Sequence, residues 1–127
     1  MTHDDVQRWL DGYVAAWRSY DRAAIEALFT DDCAYRYGPW DDATVGAQAI
    51  ADAWLENRDA PNSWQATYAP VAVEGDVAVA QGRTTYFEPD RSEAGAWDNV
   101  FIVRFAPDGR AREFTEWFRE RPKAAAD

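Results

Sequence analysis

The stretch NVFIVRFAPDGRAREFTEWF, residues 99–118, predicts a β-hairpin near the carboxyl end of the chain. Its centre, PDGR, is a strong turn signal, because Pro, Asp and Gly favour the backbone angles of tight turns. In the first arm, NVFIVRF, both alternating sets of side chains are mainly apolar, so both faces of this strand are expected to be covered. Helices would cover one face, and a second copy of the chain is the simplest cover for the other.

The second arm continues to Glu120 and places its side chains in an unusual way. Phe114, Glu116 and Phe118 share one face, and Trp117 lies on the other. We expect the first face to look toward the helices, which puts a carboxylate among aromatic rings inside the protein. The other face would then form a dimer surface. Its expected members are Trp117, Val100, Ile102 and Tyr86.

Further strands precede this hairpin. SWQATYAPVAV covers residues 63–73 and VAVAQGRTTYF covers residues 77–87, with the turn EGD between them. AWDNVFIVRF, residues 96–105, follows after the loop EPDRSEAG. Together with the last strand, residues 111–120, the pattern predicts four antiparallel strands joined by three hairpins.

The strand over residues 77–87 has one set of larger side chains and one set of small ones. We expect the larger set, which includes Gln81 and Arg83, to point inward and to reach toward Glu116. The alternate set is built mainly from Ala and Gly and would leave the outer face flat, which suits the close approach of a partner.

The first half of the chain is predicted to be mainly helical. Apolar residues at helical spacing predict helices over residues 4–18, 22–29 and 46–58. CAYRYGPW, residues 33–40, predicts a strand between the second and third helices. The order α-α-β-α-β-β-β-β predicts an α+β fold, with a curved antiparallel sheet wrapped around three N-terminal helices.

Length and composition limit the classes of function. The chain has 127 residues and is interpreted as one domain, 1–127, with a flexible tail over residues 121–127. A net charge of −10 repels phosphate backbones and anionic membranes, so neither nucleic acid nor a membrane is an expected partner. The single cysteine, Cys33, and the lack of a leader-like or long apolar segment favour a cytoplasmic protein. With His3 as the only histidine, the sequence predicts no metal site and no cofactor.

Three segments carry a resemblance to a known superfamily: YVAAWRSYDRAAIEALFTDDCAYRYGP, GAQAIADAW and the closing NVFIVRFAPDGRAREFTEWF. With the order of elements, they resemble the nuclear transport factor 2-like superfamily and its SnoaL-like branch over nearly the whole chain. The resemblance implies a cone in which a curved sheet wraps the helices and leaves a pocket at the wide end. It implies no single chemistry, because the superfamily contains isomerases, cyclases, dehydratases, hydrolases and non-catalytic binders.

Within that superfamily, the first segment most resembles ketosteroid isomerase. The resemblance implies that Tyr13 binds the oxyanion of the substrate. It also implies a general-base aspartate where this chain has Tyr37, and a second acidic donor near Phe101, where Asp98 and Asn99 are close but out of register. The chain therefore departs from that enzyme at both acidic positions.

Glu116 is the main catalytic candidate. It resembles in kind the inward acid that polyketide-cyclase-like members use as an acid/base. Burial between Phe114 and Phe118 would raise the pKa of the carboxyl group and suit it to proton transfer near neutral pH. The alternative is a structural glutamate paired with Arg83.

Other polar and aromatic residues complete the candidate site. Tyr13 and Tyr37, with Tyr35 as a weaker candidate, could donate hydrogen bonds to a substrate oxygen. Arg83 could bind an anionic or carbonyl group or form an ion pair, and Asn99 could orient a substrate or fix a loop. The candidate aromatic wall for a flat ligand consists of Trp17, Trp40, Trp54, Trp64, Trp97, Phe101 and Phe114.

These observations favour a protein that binds a small hydrophobic molecule. The leading hypothesis is a cofactor-independent isomerase, cyclase or dehydratase that moves a proton on an oxygen-bearing substrate. A non-catalytic ligand-binding or accessory protein would have the same cone and no need for a proton-transfer group. A dimeric interaction module would have a filled cone and no cavity.

Overall fold

The computed structural model describes residues 1–122. The three helices, α1 to α3, span His3–Ser19, Arg22–Glu26 and Ala47–Glu56. The six strands, β1 to β6, span Phe29–Arg36, Thr44–Val45, Trp64–Glu74, Val77–Phe87, Glu93–Phe105 and Ala111–Glu120. The predicted α+β class and order of elements are confirmed, with the two-residue strand β2 as an addition.

The six strands form one curved sheet in the order β2-β1-β6-β5-β4-β3. The three predicted hairpins are present, because β3, β4, β5 and β6 pair antiparallel in succession. The sheet is not wholly antiparallel, since β1 lies parallel to β6. The second helix is shorter than predicted. Leu28 and Phe29, which were expected to lie on its apolar face, follow the helix and are buried there. Apolar spacing over so few residues fits a helix and a buried strand equally well.

The end of the chain stays attached to the sheet as far as Arg121. Its guanidinium donates two hydrogen bonds to Asp98, at 2.7 and 2.8 Å, and its backbone N–H donates to the Ala96 carbonyl at 2.8 Å. Arg121, the first residue of the predicted flexible tail, is thus hydrogen-bonded to the sheet. Residues 123–127 lie outside the described residues.

Aromatic packing closes the narrow end of the sheet against the helices. The indole N–H of Trp9 on α1 donates to the Leu28 carbonyl at 3.0 Å, and the Trp9 ring packs edge-on against Phe29 and Phe105. Both phenylalanines are almost fully buried. Burial also raises the pKa of the Cys33 thiol to about 12, which makes this side chain an unreactive filler of β1.

The faces predicted for β5 and β6 are confirmed by their register. Phe101 pairs with Glu116 and Val103 pairs with Phe114, so these four side chains share the concave face of the sheet. Phe101, Val103 and Phe114 are each at most 1% exposed. Trp117 lies on the convex face, as predicted.

The face predicted for β4 is wrong. Gly82 pairs with Asn99 on β5 and with Tyr68 on β3, so the small residues of β4 face the concave side. Arg83 and Gln81 therefore point outward and are exposed. Tyr86 belongs to the inward set and is not part of the convex face.

Large neighbours explain why β4 carries small residues on its inner side. Tyr68 and Phe101, from the two flanking strands, meet over β4 with their ring centroids 4.7 Å apart. A Cβ atom added to Gly82 would lie 2.0 Å from the Thr67 carbonyl oxygen and 2.3 Å from the Tyr68 ring. The Ala and Gly side chains thus make room for rings that the neighbouring strands supply.

Candidate functional site

The wide end of the sheet holds a pocket of about 740 Å³. All six tyrosines of the chain line it: Tyr13, Tyr20, Tyr35, Tyr37, Tyr68 and Tyr86. The other aromatic lining residues are Trp17, Trp54, Trp97 and Phe118. The polar lining residues are Asn57, Asp59, Thr84, Asn99 and Glu116. A volume of this size accommodates a small organic ligand of several rings.

Glu116 lies on the pocket wall at the point where the filled core gives way to open space. On the same face of β6, Phe114 is fully buried and Phe118 is 57% exposed. The Glu116 Oε2 atom accepts a hydrogen bond from Nδ2 of Asn99 at 2.8 Å. Burial raises the pKa of Glu116 from 4.5 to about 7, and the bond from Asn99 opposes that rise. The carboxyl group is therefore able to take up and release a proton near neutral pH.

A directed chain of hydrogen bonds fixes the orientation of Asn99. The Thr84 hydroxyl donates to Oδ1 of Asn99 at 3.1 Å, and the same hydroxyl lies 2.7 Å from the Tyr68 hydroxyl. Because Thr84 has a single proton to donate, Tyr68 is the donor in that second bond. The Asn99 amide is thus held with its N–H group toward Glu116, and within the described residues Oε1 of Glu116 has no protein partner.

Two tyrosines place hydroxyl groups in the interior of the pocket. The hydroxyls of Tyr13, on α1, and Tyr35, on β1, lie 3.2 Å apart. Burial, and the negative charge of Glu116 among other groups, raise the pKa of both phenols, so both remain protonated. One proton of the pair is used between them and the other is free for a ligand. The pair can therefore donate a hydrogen bond to an oxygen atom.

Tyr37 continues this row of hydroxyls toward the mouth of the pocket. It is 45% exposed, and burial raises its pKa; the neighbouring Tyr35 hydroxyl opposes that rise, and the charge of Glu116 adds to it. In the parallel pairing of β1 and β6, Arg36 lies beside Thr115. One residue further along both chains, Tyr37 comes level with Glu116. The Glu116 carboxylate on β6 thus lies next to Tyr37, at the end of β1.

A second carboxylate lies at the mouth. Oδ2 of Asp59 accepts a hydrogen bond from the Trp17 indole at 2.9 Å, and the Asp59 backbone N–H donates to the Tyr20 hydroxyl at 2.7 Å. Trp17 is in turn stacked on Trp64, with centroids 3.6 Å apart. The loop after α3 is therefore fixed to the end of α1 by these contacts.

Trp54 supplies one unusual polar atom. Its indole Nε1 is buried and has no hydrogen-bond partner. It is the only such side-chain nitrogen or oxygen among the described residues. The Trp54 ring packs edge-on against Tyr13 with centroids 5.0 Å apart. Trp54 is thus a wall residue of the pocket with an N–H group that no protein acceptor satisfies.

Most of the predicted site residues line the pocket, and five of them do not. Arg83, predicted to bind a ligand, faces outward beside Asp98, its partner across the β4–β5 pair, and the alternative of a Glu116–Arg83 ion pair is likewise absent from the described residues. Trp40 is 96% exposed in the loop between β1 and β2 and does not line the pocket. Phe101 and Phe114 lie behind the pocket wall, where both rings pack against Tyr13. Trp64 likewise supports the lining residue Trp17 from behind.

Several lining residues were not predicted from the sequence. Tyr68, Thr84 and Tyr86 could be assigned to the pocket only after the structure showed which side chains of β3 and β4 face the concave side. The observation that could have indicated them is the Ala and Gly set itself, since small residues on one strand commonly face large ones on the next. Asp59 and Tyr20 lie at the ends of helices, where hydrophobic periodicity gives no direction for a side chain.

Two further kinds of feature are absent from the described residues. No helix within residues 1–122 is both long enough and apolar enough to span a membrane. In the same residues, no group of three or more His, Cys, Asp or Glu side chains is placed to hold a metal ion.

Comparison with known proteins gives one family match and many structural neighbours. A family model described as SnoaL-like domain matches residues 10–114. No curated protein matches the chain significantly. A solved structure of an NTF-2 like protein of unknown function from Burkholderia xenovorans LB400 is similar with a TM-score of 0.71 and 15% identity, over 96% of this chain and 88% of that one.

A second similar structure is that of a protein described as a "putative ketosteroid isomerase" from Kribbella flavida DSM 17836. Its TM-score is 0.71 and its identity is 16%, over 98% of this chain and 85% of that one. At such identities the likeness establishes the fold alone.

Proposed function

The chain belongs to the SnoaL-like domain family, and from that premise we propose that its pocket is the active site of a cofactor-independent enzyme that moves a proton on a hydrophobic, oxygen-bearing substrate. The reaction is an isomerisation, a cyclisation or a dehydration. The similar structure described as a ketosteroid isomerase favours the first of these.

One observation carries the proposal: Glu116 presents a carboxyl oxygen without a protein partner to an aromatic pocket, and its pKa is raised to about 7. A general acid/base works best when its pKa is near the working pH. None of the described salt bridges involves Glu116, so no neighbouring cation holds it permanently in the charged form. A purely structural glutamate has no need of this arrangement.

The residues around Glu116 have complementary parts in such a reaction. Ionised Glu116 removes a proton from a carbon next to a carbonyl group, and negative charge develops on the carbonyl oxygen. The free proton of the Tyr13–Tyr35 pair and the Tyr37 hydroxyl donate hydrogen bonds to that oxygen. Asn99 holds the carboxyl group in place through Oε2. Glu116 then returns the proton to another carbon, which completes an isomerisation with no change in the enzyme.

The experiment uses a β,γ-unsaturated 3-ketosteroid as the probe. Formation of the conjugated enone is followed by ultraviolet absorbance, and entry of deuterium from heavy water is followed by NMR. We expect Glu116→Gln to lower kcat by a factor on the order of 10² to 10⁴. Glu113→Gln, on the same strand but paired with Arg104 at 2.9 Å, is the matched control and should leave kcat unchanged.

The outcomes separate the proposed enzyme from its alternative. An unchanged rate in Glu116→Gln would remove Glu116 from the mechanism. If the wild type binds the steroid but neither converts it nor exchanges its α-protons above the blank, the result favours a non-catalytic binding protein. The aromatic wall supports binding in both cases, so binding alone does not decide between them.

We also propose that the convex face of the sheet pairs two copies of the chain. Val100 and Trp117 lie opposite each other across β5 and β6 and are 38% and 40% exposed, with Ile102 beside them. Apolar side chains grouped on one open sheet face fit a symmetric interface. Trp117→Arg should shift the wild-type dimer toward monomer in sedimentation velocity, whereas a wild type that sediments as a monomer would overturn this proposal.

A further inference from the structure

The charge of the pocket lining is entirely negative. Asp59 and Glu116 are its charged residues, and no lysine, arginine or histidine is among the lining residues of the described chain. The protein as a whole carries a net charge of −10, so the long-range field has the same sign. A carboxylate or phosphate ligand would enter this pocket against repulsion, whereas a cation would be attracted.

Asp59 is a carboxylate without a counter-ion. Its Oδ2 atom accepts from the Trp17 indole, and among the described hydrogen bonds and salt bridges Oδ1 has no partner. The guanidinium of the neighbouring residue Arg58 lies over the Tyr20 ring, 5.4 Å from its centroid, and none of the described salt bridges joins it to Asp59. Asp59 is partly buried, and a charge withdrawn from water is costly unless a partner compensates it.

Aromatic residues line the pocket together with this carboxylate. Tyr86 and Trp97 pack edge to face with centroids 5.3 Å apart, and both line the pocket together with Trp17 and Tyr20. The charge of Asp59 helps to raise the pKa of Tyr86, as burial does more strongly, which places the two groups within electrostatic reach. Faces of Trp and Tyr attract cations, and a carboxylate beside such faces adds a direct ionic partner.

We propose that the ligand of this pocket carries a protonated amine, which Asp59 binds at the wide end beside the faces of Tyr86 and Trp97. The proposal rests on the proposed function to the extent that this pocket is the ligand site. It deepens that function by naming the substrate class: an aromatic or alicyclic amine with an oxygen at its other end. The amine lies at the mouth, and the oxygen end reaches the hydroxyls of Tyr13 and Tyr35.

The test uses three probes of one shape that differ in charge. These are 1-pyrenemethylamine, which is a cation at pH 7, the neutral 1-pyrenemethanol and the anion 1-pyrenecarboxylate. Binding to the full-length protein is measured by pyrene fluorescence and by calorimetry, with no turnover required. We expect the ammonium probe to bind about tenfold more tightly than the alcohol, as a partly desolvated ionic and cation–π contact implies. The carboxylate probe should bind most weakly.

Asp59→Asn tests the residue itself. The asparagine oxygen can still accept from Trp17, so the loop should keep its position. We expect the affinity for the ammonium probe to fall to that of the alcohol, while the affinity for the alcohol stays within about twofold. Asp31→Asn makes the same change in net charge at an exposed residue of β1 and should leave the preference for the cation intact.

The two proposals fail on different results. Equal wild-type affinities for the ammonium and alcohol probes, or no measurable binding of the ammonium probe, would overturn the amine proposal, and neither result requires a folded variant. A preference for the cation that survives in Asp59→Asn would overturn the role of Asp59. An unchanged turnover rate in Glu116→Gln would overturn the acid/base role and leave the amine preference untouched.

Discussion

The two ends of the concave face are both built from aromatic residues, but one end is packed core and the other end lines a pocket. At the narrow end, the Trp9 ring packs against the rings of Phe29, Phe105 and Phe114, with centroid distances of 5.6 to 6.2 Å. At the wide end, Tyr86, Trp97 and Phe118 line open space. The side chains at the narrow end fill the space between sheet and helices, whereas those at the wide end leave the pocket open.

Glu116 lies at the boundary between these two regions, and this position explains its properties. The next inward-facing pair toward the narrow end consists of Phe114 and Val103, and both are buried. Toward the wide end, the next inward-facing residue of β6 is Phe118, which is more than half exposed. The carboxyl group is thus removed from bulk water without being enclosed by protein. Chemistry that needs a perturbed carboxyl group and access for a ligand is possible at this boundary and not at either end.

The largest expected effect contrasts Phe114 with Phe118, two residues on one face of one strand. Phe114→Ala should lower the free energy of unfolding by about 3–5 kcal/mol, because it leaves a cavity among packed rings. Phe118→Ala should cost less than about 1 kcal/mol, because 57% of that side chain is already exposed. Urea unfolding at pH 7 measures both values, and similar losses would show that the wide end is packed like the narrow one.

Glu116→Gln should stabilise the protein in a pH-dependent way. Between pH 4.5 and about 7 the unfolded chain has released the Glu116 proton while the folded protein retains it, so rising pH destabilises the wild type. The glutamine does not titrate and can still accept from Asn99. The variant should therefore gain roughly 3 kcal/mol over the wild type by pH 8 and nothing at pH 4.

Urea unfolding of both proteins across this pH range is the measurement. A stability difference that does not change with pH would mean that the Glu116 carboxyl group has an ordinary pKa in the folded protein. Glu113→Gln serves again as the control, because its side chain is half exposed on the convex side.

A smaller effect is expected at Gly82, where the sheet passes from the filled region to the open one. An added methyl group would lie 2.0 Å from the Thr67 carbonyl oxygen and 2.3 Å from the Tyr68 ring, so the β3 backbone must shift and Gly82→Ala should cost about 2–3 kcal/mol. The neighbouring change Gln81→Ala, on the exposed side of β4, should stay within about 0.5 kcal/mol. Thermal unfolding compares the two, and a neutral Gly82→Ala would show that the backbone of β3 at Thr67 and the Tyr68 ring can both move without cost.

The sequence was sufficient for the parts of the fold that depend on local pattern. The PDGR turn and the alternation on both sides of it predicted β5 and β6 with the correct faces, and with them the inward position of Glu116. The inner face of β4 could not be predicted in this way. Whether its small or its large residues point inward depends on Tyr68 and Phe101 of the flanking strands, and therefore on register between strands.

The residues of the candidate site also fall into two groups: those that local sequence pattern predicts and those that it does not. Tyr13, Trp54 and Asn99 follow from helical spacing or strand phase once the concave face is known. Asp59 lies in a loop, and its hydrogen bond from Trp17 joins residues that are far apart in the chain. No periodic pattern describes such a contact, so the second carboxylate of the pocket became visible only in three dimensions.

The protonation state of Glu116 tests the central claim most directly. Carbon-13 NMR of glutamate carboxyl groups, with the Glu116 signal assigned by its loss in Glu116→Gln, follows this single group through a pH titration. We predict a midpoint of about 7, as burial at the pocket wall requires. A midpoint near 4.5 would place the carboxyl group in an environment like bulk water and would contradict the account.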